Sequence, residues 1–196
     1  MDFTAVQTNL EKRGFTVKRF ASAAQAADYL NGAIDGTSVG FGGSVTLEAL
    51  GLYDRLSAHN EVHWHWKGGP EERTAARGAK VYLTSVNALA ETGELVNIDG
   101  SGNRVSETLF GPERLYLAVG RNKLAPTLEA AIHRARNVAA PRNAKRLGVK
   151  TPCAEKGDRC YDCASPQRIC RGLVIHWRPM NGMATEVLLI DEDLGL

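Results

Sequence analysis

The run KVYLTSV (80–86), leading into NALAETGELVNID (87–99), is the stretch on which the fold turns. Its first half is short, apolar and rich in β-branched and aromatic side chains, as a buried strand is. A polar turn follows, and ELVNID (94–99) reads as a further strand. Outward from this centre the pattern alternates. RLYLAVG (114–120), TSVGFGG (37–43), EVHWHW (61–66) and FTVKRF (15–20) read as strands. Between them, residues 4–13, 23–32 and 71–77 and a run from Pro126 to about Val138 read as helices. Ser22 and Ser44 are placed to cap the helices that follow them, and Pro70 to open another. Strands alternating with helices predict an α/β protein with a mostly parallel sheet covered on both faces. Ligands of such sheets sit beyond the carboxyl ends of the strands. The loops after Gly40, Leu83 and Ile98 are therefore the ones to inspect.

The 196 residues are 43% hydrophobic and 23% charged, which excludes a disordered or fibrous chain and leaves room for one core plus an appendage. No stretch is long and apolar enough to cross a bilayer. The start, MDFTAVQTNLEKRGF, lacks the basic-then-apolar pattern of a secretory signal, so the expected setting is cytoplasmic. Net charge is only +2, yet residues 121–171 carry 12 basic and 4 acidic side chains. That basic segment lacks a recognisable reading element and interleaved aromatics, which argues against nucleic acid as the partner.

All four cysteines, Cys153, Cys160, Cys163 and Cys170, fall inside that basic segment. A chain of this size needs no disulfide staple, and clustered thiols in a reducing compartment bind metal more often. The spacing C-x6-C-x2-C-x6-C is symmetric about Cys160 and Cys163. Four thiolates suit an iron–sulfur cluster, with [4Fe–4S] the first expectation, or alternatively tetrahedral zinc. Lys156, Arg159, Arg168 and Arg171 are placed to offset the charge of such a site. His176, just beyond, reads as a packed residue of a terminal strand.

Two loops carry the remaining candidates. Gly40-Phe41-Gly42-Gly43-Ser44 follows a strand and opens a helix. It matches neither the dinucleotide fingerprint nor a P-loop. It is a tight turn with a serine cap, or an anion site where glycines admit a ligand to the backbone. Asn87, Glu91, Glu94, Asn97, Asn103 and Arg104 lie in or just after the polar turn that leaves strand 80–86. They form turns, or they line a pocket for a small organic acid or anion, with Glu91 or Glu94 as general base or nucleophile. His63 and His65 alternate with Trp64 and Trp66 and are expected on one face of a half-exposed strand.

LVIHWRP (173–179) and ATEVLLID (184–191), separated by Asn181-Gly182, read as a C-terminal β-hairpin. The expected organisation is an α/β domain over 1–150, a loop-rich four-Cys metal segment over 151–172, and the hairpin over 173–196.

The stretches GFGGSVTL (40–47), TSVNALAETGELVNIDGSGNR (84–104) and AAPRNAKRL (139–147) together resemble the LUD-domain family, the lactate-utilization group that includes the B and C subunits of the bacterial L-lactate oxidation complex. The resemblance spans about residues 5–150, with the cysteine segment as a subgroup feature. It implies a Rossmann-like sheet of the sugar-phosphate isomerase and CoA-transferase type. The C-x2-C-x2-C runs of the B-type subunit are missing, so the chain looks like a shorter stand-alone type. Two functions follow as expectations. One is a redox or electron-transfer component of lactate or related organic-acid metabolism, with an iron–sulfur cluster on the four cysteines and a partner protein supplying electrons. Its acid would bind near Gly42, Gly43, Ser44, Asn87, Asn97, Asn103 and Arg104. The alternative is a zinc-stapled, non-redox enzyme acting on a small acid or phosphorylated substrate through Glu91 or Glu94. A homo-oligomer is compatible with both.

Overall fold

The core sits where the alternation inside the longest strands places it. A computed structural model describes residues 3–196. The first half contains α1 (Phe3–Lys12), β1 (Thr16–Phe20), α2 (Ala23–Ala33), β2 (Ser38–Phe41), α3 (Val45–Ala49) and α4 (Leu52–Ser57). Then come β3 (Glu61–His63), α5 (Glu72–Ala75), β4 (Val81–Ser85), β5 (Ala88–Ala90), β6 (Leu95–Asp99) and α6 (Asn103–Leu109). The second half holds β7 (Arg114–Gly120), β8 (Leu124–Ala125), α7 (Leu128–Arg134), α8 (Ala140–Arg146), α9 (Pro152–Lys156), β9 (Gly172–His176) and β10 (Ala184–Ile190). Ser22 and Ser44 cap α2 and α3, accepting from the N–H of Gln25 and Leu47.

The main sheet has six strands in the order β1-β10-β7-β4-β2-β3, all parallel. Its mid-strands feed two faces by period-two alternation. Tyr116, Ala118, Leu188 and Ile190 pack with α2, α3 and α4, while Leu115, Leu117, Val187 and Leu189 pack with α1. A second sheet, β8-β5-β6-β9, is mixed and lies on the α1 side, where Leu89, Leu95 and Leu124 join the core. Ala88, Ala90 and Val96 meet Ala131 and Ala135 of the helix that follows β8. The architecture is the expected α/β one, with a mostly parallel sheet and helices on both faces.

Three local features differ from the sequence reading. The turn at Asn181-Gly182 is present, closed by the Met183 N–H on the Met180 carbonyl at 3.3 Å. Its two strands do not pair with each other, however. β9 runs antiparallel to β6 in the small sheet, and β10 enters the main sheet between β1 and β7. The reason is burial. Val187, Leu188, Leu189 and Ile190 are all fully buried, and such a continuous apolar run needs cover on both faces. Residues 184–190 therefore complete the main sheet, and residue 150 does not bound it. Second, EVHWHW is a strand only over Glu61–His63. Trp64 turns into the core and stacks on Phe41 and Trp66 at 5.0 and 5.5 Å between ring centroids, which breaks the alternation. Third, the helix from Leu128 continues to Arg146 through a π segment at Ala135–Ala139. Pro141 lacks an N–H and crowds the preceding turn, and the wider π turn accommodates it.

Candidate functional site

The carboxyl ends of β2, β4 and β7 are neighbours in the sheet and open into one cavity of about 230 Å³. Gly43 and Ser44 leave β2, Ser85 and Asn87 leave β4, and Lys123 follows β7; all five line it. Asp99, Asn103 and Arg104 form one wall, and Ala140, Asn143 and Arg146 of α8 another. His65, Trp66 and Arg73 close a third side, and Ile169 brings the cysteine segment to the rim.

Arg104 anchors the first wall. Its Nη1 donates to the Ser85 carbonyl at 3.1 Å and to Asn97 Oδ1 at 2.6 Å. Its Nη2 reaches the Ile98 carbonyl at 2.8 Å and Asn87 Oδ1 at 3.4 Å. Its Nε lies 3.3 Å from Asp99, whose other oxygen accepts from the N–H groups of Ser101 and Gly102. Burial pulls the Arg104 pKa down and the neighbouring Asp99 opposes that. The guanidinium is thus a cross-link between β4, β6 and α6. Gly42 lies against its stem: a Cβ there would come 2.8 Å from Arg104 Cγ and 2.6 Å from Thr84 Oγ1.

Lys123 is the unexpected member. It is 3% exposed, and its Nζ donates to Thr46 Oγ1 at 2.7 Å and Ser85 Oγ at 2.8 Å. Burial, reinforced by Arg134 and Arg104, pushes its pKa down to about 7. A single lysine in RNKLAP carries little signal by itself. Its position just after a strand predicted to be buried was the available clue.

The residues expected from sequence divide sharply. Gly43, Ser44, Asn87, Asn103 and Arg104 come together at the cavity, with Asn97 holding Arg104 from behind and Gly42 under its stem. Glu91 and Glu94 are not among the lining residues. β5 and β6 form an antiparallel hairpin of the small sheet, and its turn points at the end of α1. There Glu94 pairs with Arg13 and the Thr92 hydroxyl, while the Glu91 carbonyl accepts from Asn9 at 2.8 Å. Neither carboxylate is placed for chemistry in this cavity. His63 is held by Glu72 at 2.7 Å, whereas His65 faces the cavity and burial lowers its pKa. His176 is buried, with Nε2 3.1 Å from the Thr108 carbonyl.

The four thiols are all half-buried and unpaired. Cys153 lies on α9, 3.3 Å from the Thr151 hydroxyl that caps it. Arg136 reaches Cys160 Sγ at 3.8 Å and Asp162 at 3.3 Å. Arg168 donates to the carbonyls of Cys163 and Cys170 and lies 3.4 Å from Cys170 Sγ. Guanidinium groups therefore face two of the sulfurs. Among the described residues no three His, Cys, Asp or Glu side chains converge on a point that would hold a metal. The segment is nonetheless fixed to the cavity wall: the Arg171 N–H donates to the Asp99 carbonyl at 2.9 Å, and Ile169 presses against Gly100, where a Cβ would meet its carbonyl oxygen at 2.8 Å.

The fold and its cavity define a doubly covered, mostly parallel α/β protein with a polar cavity at the strand carboxyl ends. The chain belongs to the LUD-domain family, whose model matches residues 4–182. The structure is also similar to the crystal structure of a DUF162 family protein from Deinococcus radiodurans, with TM-score 0.58 and 13% identity over 96% of this chain and 95% of that one. That likeness concerns the fold. No curated protein matches the chain. Among the described residues no helix is long and apolar enough to cross a membrane.

Proposed function

We propose that this LUD-domain protein binds a small organic acid in the cavity at the ends of β2, β4 and β7, as a component of lactate or related organic-acid metabolism. One observation carries the reading. Arg73 and Arg146 lie at the cavity rim and carry its free charge, while Asp99, the single acidic side chain lining it among the described residues, is already paired with Arg104. The balance of charge left for a ligand is positive, and Ser44, Asn87 and Asn103 add hydrogen-bonding groups. The test is thermal unfolding of the full chain with L-lactate, pyruvate, acetate or inorganic phosphate. A ligand at a hundred times its Kd stabilises by about 2.7 kcal/mol. For a chain of this size that raises Tm by roughly 5–10 °C. Saturable stabilisation by the acids, weakened in an Arg73→Ala/Arg146→Ala variant, supports the reading. Stabilisation by phosphate alone moves the ligand to the phosphorylated class of the alternative. No shift with any of them removes the cavity as an anion site.

The iron–sulfur redox role is a second reading. It is favoured by the confinement of all four thiols to one segment seated on the cavity wall, which would put electrons next to a bound acid. It requires the thiols to converge on binding metal. Iron, zinc and acid-labile sulfide analysis of anaerobically purified protein tests it. Four-thiolate metal lost in Cys160→Ser supports it, and metal-free protein that keeps its acid binding removes it.

A further inference from the structure

The environment of Lys123 goes beyond holding an anion. Among the described residues the amine has two hydrogen-bond partners, the hydroxyls of Thr46 and Ser85, both at 2.8 Å or closer. Each hydroxyl has already committed its own hydrogen: Ser85 donates to the Ala118 carbonyl, and Thr46 to the Leu194 carbonyl at 3.3 Å. Both must therefore accept from Lys123. Two acceptors satisfy the two hydrogens of a neutral amine and leave its lone pair without a hydrogen-bond partner among the described residues. An ammonium would carry a third hydrogen with no acceptor and no free side-chain carboxylate against it among the described residues, since Asp99 is held by Arg104 and by two backbone N–H groups. The charged groups that act on the amine, Arg134 and Arg104, are both cationic and favour the same neutral form. A desolvated lysine beside other cations is a pattern used for carbonyl chemistry.

We propose that Lys123 is an amine nucleophile that condenses with the carbonyl group of a small 2-oxo acid bound in this cavity. The inference rests on the organic-acid reading above and names the substrate class and the reacting atom. In the step, the Nζ lone pair attacks the carbonyl carbon and a C–N bond forms. The two amine hydrogens and the carbonyl oxygen leave as water, and a C=N bond remains. Nothing is oxidised or reduced, so no further reactant is consumed. The rim arginines hold the carboxylate while Lys123 meets the adjacent carbonyl.

The experiment is reductive trapping. The full chain is incubated near neutral pH with pyruvate and cyanoborohydride, then read by intact mass and peptide mapping. Exposed lysines such as Lys80 and Lys150 are the internal control. The expected result is one adduct per chain, a net gain of the acid less one oxygen atom, with one Nζ hydrogen replaced by the reduced carbon, mapped to Lys123. Excess L-lactate, which has the carboxylate but no carbonyl, should suppress it, and Lys123→Arg should lose it. Label spread over surface lysines with Lys123 unmodified overturns the proposal, and this reading needs only the wild-type chain if the variant fails to fold. If lactate stabilises the protein yet Lys123 stays unlabelled, the condensation fails and the acid site stands. If neither is seen, both fail.

Discussion

Gly42 poses a question that one substitution decides: whether its missing side chain serves a ligand or serves Arg104. Its N–H donates to the Leu83 carbonyl at 2.9 Å, so the backbone is fixed against β4. An added Cβ would sit 2.6 Å from Thr84 Oγ1 and 2.8 Å from Arg104 Cγ. Thr84 is fully buried in β4, and the Arg104 head is held at 2.6, 2.8 and 3.1 Å by acceptors on β4 and β6, so neither neighbour retreats freely. Overpacking of this kind costs about 1–3 kcal/mol. Against that, Gly→Ala at a compatible φ recovers about 0.4–1 kcal/mol from the unfolded chain. Gly42→Ala should therefore destabilise by about 1–2 kcal/mol, a fall in Tm of roughly 2–8 °C. The decisive measurement is a double-mutant cycle with Thr84→Ala, followed by urea and thermal unfolding. The Thr84 hydroxyl has no hydrogen-bond partner among the described residues, so deleting it costs little in hydrogen bonding and frees the space the new methyl needs. The two changes should couple favourably by about 1 kcal/mol or more. Strict additivity would refute the packing account. Unchanged stability with lost acid binding would assign the glycine to a ligand instead.

Two further outcomes follow from the same wall. Arg104→Met leaves Asp99 and the acceptors on β4 and β6 without their shared donor, and breaking such a buried pair costs about 3–5 kcal/mol. Chemical unfolding should show that loss, and a change below about 1 kcal/mol would deny Arg104 its cross-linking role. Lys123→Met tests the buried amine through pH. The folded pKa near 7 lies below that of the unfolded chain, so between about pH 7 and the unfolded value the unfolded state binds the extra proton. Wild-type stability should consequently rise with pH relative to Lys123→Met from pH 7 to 9.5, and be parallel to it below pH 7. Parallel curves throughout that range would place an ordinary ammonium at this position.

How far the sequence carried can be read from single elements. β4 and β7 were legible because each is a compact apolar run, and Ser22 and Ser44 because capping is a local interaction. Arg104, Asn87 and Asn103 were legible as a polar cluster close together in sequence, which the β5–β6 hairpin returns to one place. The pairing of β10 was not, because partner choice is a long-range matter, although the unbroken Val-Leu-Leu-Ile run carried the mark of a strand covered on both faces. Glu91 and Glu94 misled because a carboxylate just after a strand reads the same whether the chain stays in the main sheet or folds into a side hairpin. Only the β5–β6 pairing tells the two apart.

The basic segment is the case where composition and structure disagree most usefully. Taken as charge, residues 121–171 offered a counterweight to a metal cluster. Several of its arginines are instead spent on carbonyls where loops meet and no strand ladder can serve them. Arg134 donates to the Asn122 carbonyl at 2.9 Å and the Asn87 carbonyl at 2.5 Å, tying α7 to the loops after β7 and β4. Arg168 and Arg171 do the same within the cysteine segment, on Cys163, Cys170, Arg168 and Pro166. Arg104, outside the segment, is used in the same way. A guanidinium with its donors placed on protein acceptors is a poor ligand for an incoming acid, because exchanging partners leaves buried carbonyls unpaired. The groups left to meet a substrate are therefore few: the amine of Lys123, whose two hydroxyl contacts leave a lone pair open, and the guanidinium groups of Arg73 and Arg146 at the rim, the latter with its Nε on Asn143 Oδ1 at 3.0 Å. The many arginines tie the loops around the cavity together, and the proposed acid site rests on those three groups.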